Sequence, residues 1–167
     1  MLVFVRIDDR LIHGQVVEGW VNYLKATCIL VADDKVAANA LQRSIMEISV
    51  PHGLKVFIGT VADISEQVRS AALSAERAIL LFSNPFDALR ALKAGLPCPA
   101  LNIGGMHYVP GKRKLLDVLA VDEGDLKALQ DIVAMGVKVD VQTVPTERPL
   151  PLEKVFKICL RAADRGQ

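Results

Sequence analysis

Apolar residues recur along this chain in two alternating patterns, short β-branched runs and longer segments with helical spacing. Short apolar runs are typical of buried strands, and the longer segments are typical of amphipathic helices. The pattern predicts strands at 2–7, 27–33, 54–59, 77–82, 98–103, 114–121 and 137–144. It predicts helices at 15–25, 35–49, 61–74, 85–95, 122–136 and after Pro151. This alternation predicts one α/β domain over 1–167, with an open, mainly parallel, twisted sheet and helices on both faces.

Three of these elements carry more specific expectations. In the helix at 35–49, one face is apolar at helical spacing, formed by Val36, Ala40, Leu41, Ile45 and Ile48. Asn84 is expected to cap the helix at 85–95, with Pro85 at its first position. Asp33 and Asp34 are expected to cap the helix at 35–49. The pair Gly104-Gly105 is expected to form a turn after the strand at 98–103.

In open parallel sheets, ligands gather beyond the carboxyl ends of the strands. The loops at that edge are 8–14, 33–34, 59–60, 83–84 and 103–113. The first of these loops lies within the string "RIDDRLIHGQ", which combines arginines, aspartates and a histidine in ten residues. It places His13 directly before the predicted helix. The loops at this edge are therefore the candidate functional region.

His13 and Arg10 together suggest an anion site. Free backbone N–H groups and the macrodipole favour anions at a helix N-terminus, here Gly14-Gln15. Arg10 can fold back over the same place with a planar set of donors. A positive helix end and an arginine should also keep the His13 imidazole neutral near pH 7.

A neutral imidazole beside an anion pocket suits a phosphoryl acceptor. The same residues also fit passive binding of a phosphorylated metabolite, or a loop histidine without function. A P-loop kinase or a dinucleotide site is not indicated, because neither glycine motif occurs. Arg6 and Arg10 need counter-charges, which Asp8 and Asp9 can supply.

Composition narrows the class of protein. The net charge of +1 gives no field that favours nucleic acid. The three cysteines, Cys28, Cys98 and Cys159, are too dispersed for a disulfide framework or a zinc site. The longest uncharged run, 94–111, is interrupted by glycine and proline, so no membrane span is expected. The pattern favours a cytoplasmic protein without a metal or cofactor.

The string "VRIDDRLIHGQVVEGW" closely resembles the signature of the IIB component of the mannose/fructose/sorbose class of the sugar phosphotransferase system. Four later blocks resemble the same family in the same order: "ILVADD", "LLFSNPFDALRALKAG", "LNIGGMH" and "MGVKVDVQTVPTE". The resemblance extends from Met1 to about residue 160.

The resemblance implies that His13 receives a phosphoryl group, through its Nδ1, from a phosphohistidine on a IIA protein. The group then passes to a sugar held by the membrane components IIC and IID. Arg10 matches the arginine that contacts the phosphoryl group, and Asp8 an acid that orients His13 or Arg10. The implied sheet order places the first strand between those ending near Phe82 and Ile103.

The resemblance also places a second group of residues near the site. Ser83, Gly104 and Gly105 would flank His13 and join Arg10, Gly14 and Gln15 around the phosphoryl group. A basic residue often occupies the position of Ser83 in this family, so a hydroxyl leaves more of the task to Arg10. Candidate partner contacts are Arg6, His107, Lys112 and Arg113. A regulatory phosphoacceptor of the same fold stays open, as do the identity of the sugar and a homo-oligomer.

Overall fold

A computed structural model describes residues 1–163, apart from the side chains of Ala71 and of residues 160–163. The strands are β1 (Leu2–Asp8), β2 (Cys28–Ala32), β3 (Lys55–Gly59), β4 (Ala78–Phe82), β5 (Ala100–Gly105), β6 (Arg113–Leu116), β7 (Leu119–Val121), β8 (Lys138–Val141) and β9 (Leu150–Pro151). The helices are α1 (Gln15–Val21, continued by Asn22–Leu24), α2 (Asp34–Ala37), α3 (Ala40–Ile48), α4 (Val61–Arg69), α5 (Pro85–Lys93), α6 (Glu123–Ala134) and α7 (Leu152–Ala163).

The main sheet has the order β3-β2-β4-β1-β5-β8-β9 and is parallel except for β9. Strand β1 therefore lies between β4 and β5, as the resemblance implies. Ile7 pairs with Phe82 on one side and with Ile103 on the other. The predicted α/β fold with a mainly parallel sheet is confirmed.

Two apolar clusters cover the two faces of this sheet. The larger cluster joins the sheet to α4, α5, α6 and α7, and includes Phe82, Leu129 and Val155. The smaller one joins it to α1 and α2, and includes Trp20 and Val36. Strands β2 and β4 are buried along their whole length, as continuous apolar runs in a covered parallel sheet should be. No helix of residues 1–163 is long and apolar enough to cross a membrane.

The prediction of one helix over 35–49 is wrong. α2 ends at Ala37 and α3 starts at Ala40, because the side chain of Asn39 caps a second helix by accepting from Gln42 N at 3.0 Å. The apolar face is also not one buried surface. Val36 is buried, whereas Leu41 is 72% exposed and Ile48 84%.

Four further predictions on local structure need correction. The helix expected at 61–74 ends at Arg69. The extended segment expected at 114–121 is the antiparallel hairpin β6–β7, with Leu116 opposite Leu119. The strand expected at 137–144 ends at Val141. It pairs with β9, a strand that the sequence pattern did not predict. Gly104 and Gly105 form no turn, because β5 continues through both residues.

Candidate functional site

A tight turn at the carboxyl end of β1 positions the site. Leu11 N donates to the Asp8 carbonyl at 2.9 Å, and Asp9 N donates to the Gly105 carbonyl at 3.0 Å. Leu11 has a φ of +54°, a backbone angle that residues other than glycine rarely adopt. Its side chain is buried in the smaller apolar cluster, and this packing holds the strained turn in place.

The His13 ring lies between two acceptors. Nδ1 is 2.9 Å from the Leu11 carbonyl oxygen, which can only accept, so Nδ1 carries a hydrogen in this conformation. Nε2 is 3.5 Å from Asp8 Oδ2, and it is buried without a hydrogen-bond partner. The Asp8 carboxylate therefore lies on the Nε2 side of the ring, and the Leu11 carbonyl lies on the Nδ1 side.

The Arg10 guanidinium is the accessible cation of the site. Its side chain is 39% exposed. Nε lies 3.2 Å from Asp8 Oδ1, and Nη2 lies 3.0 Å from Gln15 Oε1. Gln15 therefore orients Arg10 with its amide oxygen. The direct contact of Gln15 with the phosphoryl group stays a prediction.

The N-terminal end of α1 is open beside His13. A Cβ built on Gly14 would meet nothing within 4 Å, so the space around this residue is free. α1 has π-helical hydrogen bonding over Gln15–Val21. Such segments are rare, and shorter π-bulges are frequent at functional sites. N–H groups at an open helix end favour an anion.

Arg6 is buried, so its side chain is not available at the surface as the predicted partner contact requires. Its side chain is 0% exposed, and its Nη2 lies 2.9 Å from Asp8 Oδ2. Burial lowers the pKa of Arg6, and the Asp8 carboxylate offsets only part of this effect, but a guanidinium stays charged at neutral pH. Asp8 therefore binds both Arg6 and Arg10, while Asp9 binds neither and pairs with His107.

Gly104 is required for a reason other than phosphate binding. The register shifts between Ile7 and Asp8, so Gly104 is an extra residue in a bulge. A Cβ on Gly104 would lie 1.7 Å from Arg6 Cζ, so the guanidinium fills the space expected for an anion. Gly105 is beside the site, because a Cβ there would lie 3.2 Å from Asp8 Oδ1.

Ser83 lies next to the site, but its hydroxyl is already used. It follows Phe82, the partner of Ile7, so the chain brings it beside Asp8. Its Oγ donates to the Asp33 carboxylate and accepts from Asn84 Nδ2. Asp33 caps α2 by accepting from two backbone N–H groups, which confirms that expectation for Asp33.

The three candidate partner residues after β5 differ in availability. His107 is half-exposed, and its Nδ1 lies 2.7 Å from Asp9 Oδ1. Lys112 is held by the buried Asp125 carboxylate at 2.7 Å. Arg113 is exposed at the start of β6. Of the three, His107 and Arg113 have the more exposed side chains.

The sequence analysis missed two residues that contribute to the site, Leu11 and Asn102. The Leu11 carbonyl holds His13, but only the backbone conformation reveals it. Asn102 Oδ1 accepts from Arg6 Nη1 at 2.6 Å. An asparagine inside the apolar strand "ALNI" was a usable signal, since buried polar side chains need partners.

Comparison with known proteins places this fold and site in a class. The sequence model of the sorbose subfamily IIB component of the phosphotransferase system matches residues 2–165. N-acetylgalactosamine-specific phosphotransferase enzyme IIB component 2 of Escherichia coli K12 is 38% identical over 155 residues, 93% of this chain and 98% of that protein. The mannose-specific EIIAB component of the same strain is 33% identical over 88% of this chain and 46% of its own length.

A solved structure agrees. The IIBSor domain of the sorbose permease from Klebsiella pneumoniae superposes with a TM-score of 0.89 at 30% identity, covering 94% of this chain and 96% of that one. Fold and site thus define an α/β domain of the sugar phosphotransferase class. The chain belongs to the sorbose subfamily of IIB components of the phosphotransferase system.

Proposed function

We propose that this chain is a phosphoryl carrier in sugar uptake. His13 accepts a phosphoryl group from a phosphohistidine on a IIA protein. The group then passes to a sugar held by the membrane components IIC and IID. This proposal places the chain at the inner face of the membrane, as a protein that binds IIC and IID.

One observation carries the proposal: the same Asp8 carboxylate contacts the half-exposed Arg10 guanidinium and faces the His13 ring, and His13 stands directly before the open end of α1. Transfer breaks the N–P bond of the donor and forms one N–P bond to His13. The transition state is loose, so positioning and charge stabilisation supply most of the catalysis. Arg10 and the α1 N–H groups serve the phosphoryl oxygens without a metal.

The nitrogen that attacks must have a free lone pair. Nδ1, which the family resemblance suggests, donates to the Leu11 carbonyl in this conformation. The ring must therefore turn away from Leu11 as the donor arrives, losing its Nδ1 proton to solvent and gaining one from solvent at Nε2. Asp8 can then accept from this Nε2–H. Asp8 thus selects the tautomer that leaves Nδ1 free.

The test is incubation with phosphoenolpyruvate, enzyme I, the phosphocarrier HPr and a IIA protein of the same class, followed by intact-mass measurement. We expect one acid-labile addition of about 80 Da, the mass of one phosphoryl group. His13→Ala should abolish it. His52→Ala is the matched control, because His52 is an exposed residue in the loop before β3, at the amino edge of the sheet.

The result also separates the alternatives. An unchanged mass in the presence of an active IIA protein contradicts the proposal. A passive phosphate site would tolerate His13→Ala far better than Arg10→Ala in a binding assay. A regulatory phosphoacceptor would take up the group, but it would fail to phosphorylate sugar when IIC and IID are added.

A further inference from the structure

The two arginines that contact Asp8 are held very differently. Arg10 is 39% exposed, and its contacts to Asp8 are 3.2 and 3.4 Å long. Arg6 is fully buried and contacts Oδ2, the oxygen that Arg10 reaches only at 3.4 Å, at the shorter distance of 2.9 Å. One carboxylate therefore has a loose cation on its solvent side and a fixed cation on its inner side.

Arg6 has an acceptor for each of its N–H bonds. Nε and Nη2 donate to Asp8 Oδ2, and Nη2 also donates to the Thr143 carbonyl at 3.1 Å. Nη1 donates to Asn102 Oδ1 at 2.6 Å and to the Gln142 carbonyl at 3.0 Å. A guanidinium has five donors, so a fully satisfied one has no reason to turn elsewhere.

Packing fixes the same group from two sides. The Trp20 ring centroid is 5.6 Å from Arg6 Cζ, within the range of a cation–π contact. On another side lies Gly104, where even a methyl group would overlap the guanidinium. In the wild-type protein these two neighbours and the five hydrogen bonds therefore hold Arg6 in one position.

We propose that Arg6 is a positioning residue which keeps Asp8 paired when Arg10 leaves it for the phosphoryl group. This inference rests on the proposed function. The phosphoryl group brings negative charge to the side of Asp8 that Arg10 occupies before transfer. If Arg10 were its only cation, Asp8 would become an unpaired buried carboxylate, which is costly.

The backbone completes this arrangement. Arg10 N donates to Asp8 Oδ1 at 3.2 Å, and this bond does not depend on the side chain. When the Arg10 guanidinium turns outward, Oδ1 keeps the amide and Oδ2 keeps Arg6. Asp8 then stays fixed, and it still faces Nε2 of His13. Arg6 acts on His13 through Asp8 and has no contact with the phosphoryl group.

The decisive experiment observes arginine side chains in the wild-type protein. Spectra of ¹⁵N-arginine protein are recorded before and after phosphorylation by the IIA system. The Arg6 Nε–H signal is assigned by its proximity to the Trp20 ring, and the Arg10 signal by its loss in Arg10→Lys. We expect the Arg10 signal to shift strongly, and the Arg6 signal to stay in place with slow solvent exchange. A shift of Arg6 as large as that of Arg10 overturns the proposal.

A variant tests the consequence for transfer. Gly104→Ala displaces the Arg6 guanidinium without touching His13, and Gly19→Ala is the control, since its Cβ would meet only Pro145 at an ordinary 3.6 Å. For Gly104→Ala, kcat for phosphoryl uptake should fall about tenfold, the usual effect of one lost charge-assisted hydrogen bond. KM for the phosphorylated IIA protein should not change, because the docking surface is intact.

The outcomes separate the inference from the proposed function. If the wild-type protein takes up no phosphoryl group, the proposed function fails. If it does, and folded Gly104→Ala transfers at the wild-type rate, only the role of Arg6 fails. A variant that does not fold leaves the decision to the wild-type spectra.

Discussion

Leu11 shows how one strained residue positions His13. A non-glycine residue at positive φ costs about 1–3 kcal/mol. The strain is offset because the side chain is buried, and the resulting turn directs the Leu11 carbonyl at His13 Nδ1. The same residue therefore anchors the loop and holds the ring in its resting orientation.

This geometry predicts an inverted order of stability for two variants of Leu11. Both Leu11→Ala and Leu11→Gly lose the buried side chain, at about 2–5 kcal/mol. Glycine alone relieves the positive φ, so Leu11→Gly should be at least as stable as Leu11→Ala. The free energy of unfolding measured in urea gives the order.

Ile12 provides the matched comparison, because it is buried and has no positive φ. There the usual order should hold, with alanine more stable than glycine by about 0.5–1 kcal/mol. The same order at both positions would show that Leu11 is not strained.

The site residues differ in how far sequence could assign them. His13, Arg10 and Asp8 lie within six residues of one another, so local chemistry and the family signature indicated them together. The environment of Arg6 comes from Asn102 and Thr143, which are 96 and 137 residues away. A charged residue near a strand end has the same local pattern whether it is buried or exposed, so only the fold could correct its role.

At the scale of elements, the segment 35–49 shows the limit of periodicity. Its apolar spacing continues through Asn39, and this continuity favours one helix. The structure instead caps a second helix at Asn39. In α3 only Met46 is partly buried, so tertiary packing gives this helix little support. Its stability must then depend on local interactions, the cap above all.

We therefore predict that Asn39→Ala frays α3 selectively. Loss of an N-cap costs about 1 kcal/mol. Hydrogen exchange should accelerate over 40–48, whereas exchange in β2 and β4 should change little, since local opening is independent of global unfolding. Mass spectrometry of deuterated peptides measures both regions.

The conservative variant Asn39→Ser is the control, because a serine hydroxyl can also accept from Gln42 N. Its exchange over 40–48 should remain close to that of the wild type. Equal acceleration in both variants would mean that the cap is not what stabilises α3.

For the whole molecule, the sequence predicted the parallel strands of the core, but it did not predict β9 or the β6–β7 hairpin. The buried strands β2 and β4 are apolar throughout, so their pattern was unambiguous. β9 has only two residues, and it is a strand only because it pairs with Val141 and Asp140. The β6–β7 hairpin likewise depends on where the chain reverses. Such elements are defined by pairing, which local propensity does not encode.

Asp34 links three helices at the carboxyl edge, so it should make the stability of the whole fold depend on pH. It begins α2, accepts from Val61 N of α4 at 2.9 Å, and binds Arg90 of α5. The Val61 amide, and then Arg90, hold the pKa of Asp34 below its usual value. A depressed pKa in the folded state stabilises the protein above the unfolded pKa of about 3.9, and this contribution is lost as the pH falls through the folded value.

Asp34→Asn should therefore be less stable than the wild type at pH 7, and the difference should shrink below about pH 4. Because the amide bond is the larger cause, the difference at pH 7 should persist at high salt, and urea unfolding that shows a constant difference from pH 7 to 3 would contradict this role.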